Sequence, residues 1–151
     1  LTSSDAFDGD FVEGNIRNCT FTDIDGDGID FSGSIVKVNG VNFSGIADKA
    51  ISVGENSHVK INNCEIENVS FGVVSKDHSK TEVHDKITVR NAKVSAFAAY
   101  QKKPLFGPAY LKVENPLIID CKRKYLIQHG STALENTHKI GTEKFSTDSL
   151  Y

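Results

Sequence analysis

The amino-acid sequence predicts an all-β protein whose chain winds into a parallel β-helix, a single-stranded solenoid of about five coils. A short phrase recurs along the chain, and its Asn or Gly stands at Asn18, Gly40, Asn63, Asn91 and Asn115. These positions lie 22, 23, 28 and 24 residues apart, so the usual repeat is 22–24 residues. A period of this length is typical of a solenoid in which each repeat stacks on the next.

Each repeat also contains short segments in which apolar and polar or small residues alternate, the pattern of a half-buried strand. No stretch of the repeats shows a convincing 3.6-residue period, which argues against helical alternatives. Most coils close with a small polar turn that ends in Ser. The four turn serines are Ser34, Ser57, Ser79 and Ser131. Residues 1–131 are therefore predicted to form the β-helix, and residues 132–151 an irregular C-terminal cap, linker or tail.

The recurring Asn and Cys residues are expected inside the solenoid. Asn tolerates the left-handed backbone of a tight bend, and stacked amides can bond one another as in an amide ladder. Cys19 and Cys64 share one slot of the repeat with Val41 between them, so coil stacking places them about 10 Å apart. That exceeds the ~7 Å limit between the Cα atoms of a disulfide, and both thiols are predicted to be buried.

Composition excludes several classes of function. The net charge of −3 and the pI of about 5.9 give no electrostatic reason to expect nucleic acid as a partner. No apolar run reaches the roughly 18–20 residues that a membrane span needs. The chain begins at Leu1 and contains no Met, which suggests a piece of a longer protein. Exposed end coils would need caps, a neighbouring domain or self-association.

An acidic turn offers the one metal site that the sequence suggests. Asp23, Asp25 and Asp27 have the spacing that opens a calcium-binding EF-hand loop. The twelfth position of that loop is Ser34 rather than Glu, so only a looser calcium site on these three carboxylates remains open. No other cofactor is expected.

The polar edge that follows the second strand of each coil holds the densest mixture of titratable and aromatic groups. An aromatic face with amide and charged groups suits a sugar. The predicted ligand-binding residues are Lys76, His78, Tyr100, Gln101, Lys102 and Lys103. Stacking would also bring Asp8 or Asp10 near Asp30, and paired carboxylates serve in glycoside cleavage.

Several phrases resemble the right-handed parallel β-helix repeats of the pectin-lyase-like superfamily, over roughly residues 5–131. They are Asp27-Gly28-Ile29-Asp30, Asn63-Cys64-Glu65-Ile66 and Ala50-Ile51-Ser52-Val53-Gly54, the last similar to polygalacturonase coils. The resemblance implies a right-handed helix, and it matches at most Asp48 to a catalytic Asp at a coil turn. The Gly-His-Gly and Arg-Ile-Lys phrases of those hydrolases are missing here.

Two functions are therefore expected from the sequence. The first is a non-catalytic β-helix module of a secreted or surface protein, acting as a scaffold or a carbohydrate-contacting surface. The alternative is a polysaccharide-active enzyme or fragment, a lyase, hydrolase or epimerase on acidic glycans. Its catalytic candidates are Asp30, Asp48, Lys76 and Lys102. Both place the chain outside the cell, on its surface or in the periplasm, with polysaccharide as the partner.

Overall fold

A computed structural model describes residues 4–151 and shows a parallel β-solenoid of about six turns. Every strand pair is parallel except β12 with β13. The elements are β1 (Phe7–Asp10), β2 (Glu13–Arg17), β3 (Thr20–Ile24), β4 (Ile29–Ser32), β5 (Ile35–Asn39), β6 (Asn42–Gly54), β7 (His58–Lys76), β8 (Lys80–Tyr100), β9 (Tyr110–Val113), β10 (Leu117–Ile119), β11 (Tyr125–Ile127), β12 (Thr132–Glu135), β13 (His138–Lys139) and a 3₁₀ helix (Thr147–Leu150).

The strands stack into three faces, and the long strands β6, β7 and β8 bend through corners to contribute to two or three of them. Face 1 contains β1, β4, the ends of β6, β7 and β8, and β11. Face 2 contains β2, β5, the starts of β7 and β8, β9 and β12. Face 3 contains β3, the start of β6, the middle of β7 and β8, and β10. The predicted β-helix is confirmed, with about one turn more than expected.

Alternation along each strand builds the core. On face 1, Ile29 is in register with Ile51, which is in register with Val73, and each is fully buried. Like residues stack on like because coils of nearly equal length repeat the same inward slots. The columns on all three faces merge into one continuous apolar interior, and the burial of apolar surface is the dominant favourable term in folding.

The turn serines form a hydrogen-bonded ladder between faces 1 and 2. The hydroxyl of Ser57 accepts from the backbone N–H of Ser34 at 3.0 Å, and that of Ser79 accepts from Ser57 at 3.1 Å. Ser131 repeats the contact with the N–H of Ala109 at 3.0 Å. All four serines are buried, so the ladder satisfies turn amides that no strand partner reaches.

The expected position of the Asn column was wrong in one respect. The left-handed backbone is confirmed, since Asn63 has φ 51° and Gly40 φ 67°. However, Asn18, Asn63, Asn91 and Asn115 are exposed rather than interior. The corner turns the backbone outward at this slot, and Asn63 donates to Asn39 at 3.2 Å instead of joining an internal amide column.

The cysteine prediction was correct for one thiol and wrong for the other. Cys64 is fully buried, whereas Cys19 is exposed, and both are free thiols. Cys19 occupies the slot of Val41 and Cys64 but belongs to the first coil, and no described strand stacks on its outer side. Cys121 is partly buried and also free.

Residues 132–151 continue the solenoid and then cross it. Strand β12 pairs in parallel with β9, and β13 folds back on β12 as a short antiparallel strand. The chain then bonds to the edge of β11, where the N–H of Glu143 donates to Ile127 O at 2.9 Å. From there residues 145–151, the C-terminal strap, lie across face 1, where Phe145 and Leu150 pack on its outward side chains.

Candidate functional site

The outer surface of face 1 holds a set of buried ionic groups. Lys49 is 2% exposed, and its ammonium lies 2.7 Å from an Asp48 oxygen and 3.6 Å from Asp27 Oδ1. Lys76, also buried, has its ammonium 3.8 Å from Asp30 Oδ1. The candidates Asp30, Asp48 and Lys76 therefore share one surface, but each faces an opposite charge.

Burial and pairing shift the pKa values of these groups in different directions. Burial raises the pKa of Asp27 to about 6, although Lys49 opposes the shift. Burial lowers the pKa of Lys49, but the Asp27 and Asp48 carboxylates outweigh it and leave the pKa above its ordinary value. Burial lowers the pKa of Lys76, with only partial compensation from Asp30.

Stacking brings carboxylates together at the edge of face 1, as the sequence indicated. Asp8 on β1 is the register partner of Asp30 on β4. Partial desolvation, followed by the charges of Asp10 and Asp30, raises the pKa of Asp8. Carboxylate oxygens of Asp5, Asp27 and Asp30 also lie within 4.8 Å of one another.

The carboxylates grouped with Asp27 are thus those of Asp5 and Asp30. Asp23 and Asp25 are exposed, and Asp23 adopts a left-handed corner with φ 55°. The calcium site on Asp23, Asp25 and Asp27 stays a prediction.

A loop after β8 carries the remaining sequence candidates. The backbone N–H groups of Lys102 and Lys103 both donate to Asp77 Oδ1 at 2.7 Å, which ties the loop to the turn of the preceding coil. The Lys103 ammonium bonds Glu55, and the Gln101 amide donates to the Phe106 carbonyl.

These contacts give most of the loop's polar groups structural partners. The backbone N–H of Gln101 donates to the side-chain oxygen of Gln128 at 2.8 Å. His78 is exposed at its turn, and its N–H donates to Gly107 O at 2.8 Å. Gln101 and Asp77 therefore hold the loop in place.

Tyr100 lies beneath the C-terminal strap. Its side chain is fully buried, and its hydroxyl is 2.6 Å from the hydroxyl of Tyr151. The ring of Tyr151 has the Lys102 ammonium 4.0 Å and the Lys49 ammonium 4.8 Å from its centroid. Such cation–π contacts stabilise the strap, so Tyr100 offers no open aromatic face to a sugar in this structure.

The structure also shows a groove on face 2 that the sequence reasoning did not select. It has a volume of about 440 Å³, and its lining includes Gly14 and Val36. Its side chains come from β2, β5 and β7, and they are Glu13, Asn15, Ile35, Lys37, His58 and Lys60. The signal was present, because Val36-Lys37-Val38 and Val59-Lys60-Ile61 repeat a polar slot between β-branched residues one coil apart.

Stacked parallel coils, an apolar interior and repeated corner residues define a β-solenoid repeat protein. Residues 3–107 match the family described as "Right handed beta helix region". That match covers more than half of the chain, and the protein belongs to the right-handed β-helix family. Comparisons with curated proteins and with solved structures give no significant match.

The described residues contain no helix with the length and hydrophobicity needed to cross a bilayer. The one helix that they contain is the four-residue 3₁₀ turn of the C-terminal strap.

Proposed function

We propose that this chain is a non-catalytic β-helix module of a secreted or surface protein, which serves as a rigid scaffold and contacts carbohydrate through an exposed strand face. One observation supports the non-catalytic part of this proposal. On face 1, Lys49 is paired with Asp27 and Asp48, and Lys76 with Asp30, while the C-terminal strap lies over Tyr100 and against Lys49. A catalytic acid or base needs access to its substrate at hydrogen-bonding distance.

The fold supports the scaffold part. The ladders run through the described residues, and each coil pairs with the next one along on its three faces. Such a solenoid is a stiff body whose outward side chains stand in rows about 4.8 Å apart from strand to strand. Rows of polar side chains on a fixed lattice suit an extended chain of sugars.

The experiment is a paired assay on the full chain with a panel of acidic and neutral polysaccharides. Turnover is followed by new reducing ends and by absorbance of unsaturated products, and binding by titration calorimetry. We expect binding without turnover. Turnover that disappears in Asp30→Asn would overturn the non-catalytic proposal, and absence of binding to every glycan would overturn the carbohydrate contact.

A glycan-cleaving enzyme is the second candidate, favoured by Asp8 and Asp30. These register partners stand on adjacent strands, and the ~4.8 Å strand spacing is close to the ~5–5.5 Å between the carboxyl groups of retaining glycosidases. In that case Asp8→Asn and Asp30→Asn should each abolish turnover. Asp120→Asn, which removes an exposed carboxylate at a left-handed corner of a later coil, is the control and should leave turnover unchanged.

A further inference from the structure

Face 3 ends one strand earlier than the other two faces. Its last strand is β10, which pairs with β8 and with no other strand among the described residues. On face 2, β12 stacks beyond β9. On face 1, β11 stacks beyond β8 and is followed by the bridge between Gln128 and Glu143. The outer edge of β10 therefore lies in a recess between the two longer faces, which suits a single extended segment.

The recess has apolar groups at the end of the solenoid core. Its volume is about 450 Å³, and its lining includes Leu117, Ile118, Lys124 and Glu135. Ile118 continues the inward column of Val89, and it is only half-buried because no described strand stacks on it. Leu117, beside it, is 51% exposed. An open strand edge with exposed apolar side chains is a template for pairing with a further strand.

The outward slots of face 3 change from polar to apolar at this edge. The preceding coils carry polar side chains in register with Leu117 and with Ile119. These two rows are Thr20, Asn42, Glu65 and Thr88, and Thr22, Ser44, Glu67 and Arg90. Strand β10 instead reads Leu-Ile-Ile, a continuous apolar run of the kind found in strands that are buried on both sides. The composition of β10 thus fits a strand that another chain covers.

Two charged side chains line the recess, and only one of them has a partner. The Glu135 carboxylate accepts a hydrogen bond from the Tyr125 hydroxyl at 2.8 Å. Lys124 is exposed, and no carboxylate of the described residues lies within 4 Å of its ammonium. Complementary charges favour the matching partner and disfavour others, so the recess favours a segment that carries a carboxylate.

We infer that a partner protein adds an extended segment to the outer edge of β10 and thereby completes face 3. One apolar side chain of the segment packs inward on Ile118, and its neighbours lie beside Leu117 and Ile119. An acidic residue at the end nearest Lys124 pairs with that ammonium. In such strand addition, main-chain hydrogen bonds give affinity and the side-chain slots give specificity. The inference goes beyond the proposed function, because it assigns a protein partner to a separate surface.

The test is fluorescence anisotropy with the full chain and a labelled synthetic peptide, Thr-Ile-Val-Ile-Asp-Glu. We expect saturable binding, with slower amide hydrogen exchange at residues 117–119 in the complex. A peptide with N-methyl groups on its three apolar residues cannot continue the ladder and should bind at least tenfold more weakly. A peptide that ends in Lys-Lys instead of Asp-Glu should also bind at least tenfold more weakly.

Two variants with matched controls locate the binding site. Leu117→Asp places a charge on the exposed side of β10 and should lower the affinity for the acidic peptide at least tenfold. Lys124→Glu should lower it to a similar extent. The controls are Ile35→Asp and Lys37→Glu, which change an exposed apolar residue and an exposed lysine on face 2. Both controls should bind the peptide like wild type.

The possible results bear on separate parts of the inference. Absence of saturable binding, or equal losses in Leu117→Asp and Ile35→Asp, would overturn strand addition at β10. Equal affinity of the N-methylated peptide would show apolar adhesion without a ladder and would overturn it as well. Equal affinity of the Lys-Lys peptide would overturn the acidic character of the partner. A wild-type dimer in sedimentation that Leu117→Asp dissociates would assign the edge to a second copy of the chain.

Discussion

The hydroxyl of Tyr100 lies 2.6 Å from the hydroxyl of Tyr151, across 51 residues of chain. This contact joins the fifth coil to the C-terminal strap and removes from solvent the one aromatic side chain that the sequence offered to a sugar. The strap is held further by Phe145, whose ring meets that of Tyr100 edge-on at 6.4 Å between centroids. The C-terminal strap therefore covers part of the outer surface of face 1.

Removing the Tyr100 hydroxyl should weaken the strap. Tyr100→Phe leaves the ring in place but deprives Tyr151 of its partner, at a cost of about 1 kcal/mol in the free energy of unfolding. Denaturant unfolding followed by far-UV circular dichroism measures it. Tyr110→Phe is the matched control and should cost less, since the Tyr110 hydroxyl makes no hydrogen bond within the described residues. Equal losses for the two variants would contradict a stabilising hydroxyl pair.

The stability of the protein should be sensitive to substitution of Ser57, at the centre of the serine ladder. Ser57→Ala removes the acceptor for the Ser34 N–H and the donor to Gly54 O, and it leaves buried groups unsatisfied. We expect a loss of about 1–3 kcal/mol, read as a lower thermal midpoint and denaturant midpoint. Ser44→Ala, which loses an exposed bond to Glu67 at 3.2 Å, should cost clearly less. Equal unfolding free energies for Ser57→Ala and wild type would contradict a stabilising role of the serine ladder.

The corner asparagines should tolerate Gly better than Leu. Asn63 has φ 51°, where a bulky L-residue pays about 1–2 kcal/mol and Gly pays no steric cost. Both Asn63→Leu and Asn63→Gly lose the bond to Asn39, so their difference in unfolding free energy isolates the backbone. Asn63→Leu should be the less stable of the two. The reverse order would show that the side chain, not the corner conformation, matters at this slot.

The buried carboxyl of Asp27 should make stability depend on pH. Its folded pKa of about 6 lies above its ordinary value of 3.8, so the folded state binds the proton more tightly than the unfolded state. This group's contribution is fully present below about pH 4 and is lost as the pH rises through 6. Unfolding by denaturant between pH 4 and 7 should therefore show wild type losing stability relative to Asp27→Asn.

Asp25→Asn is the control for this pH series, because it removes an exposed carboxylate two residues away. It should keep the wild-type trend between pH 4 and 7. A constant difference between wild type and Asp27→Asn over the same range would contradict the raised pKa.

Local pattern was enough to predict the coils, since the inward slots repeat at nearly constant spacing along the sequence. It also indicated the turn serines, whose common slot reflects a shared hydrogen bond. It failed for Cys19 because burial of that slot depends on a coil stacked above it, which the end coil lacks among the described residues. It failed for the Asn column because a left-handed corner can point a side chain outward as readily as inward.

The sequence by itself determined the solenoid, its strands and the conformation of its corners, because these depend on residues within one repeat and the repeat next to it. Only the tertiary structure decided which charged and aromatic side chains are accessible to solvent. Lys49 and Tyr100 are buried by residues 145–151, which lie dozens of positions away along the chain. Lys37 and Lys60 are exposed because no segment among the described residues crosses face 2. A local sequence pattern does not determine where a segment distant along the chain packs.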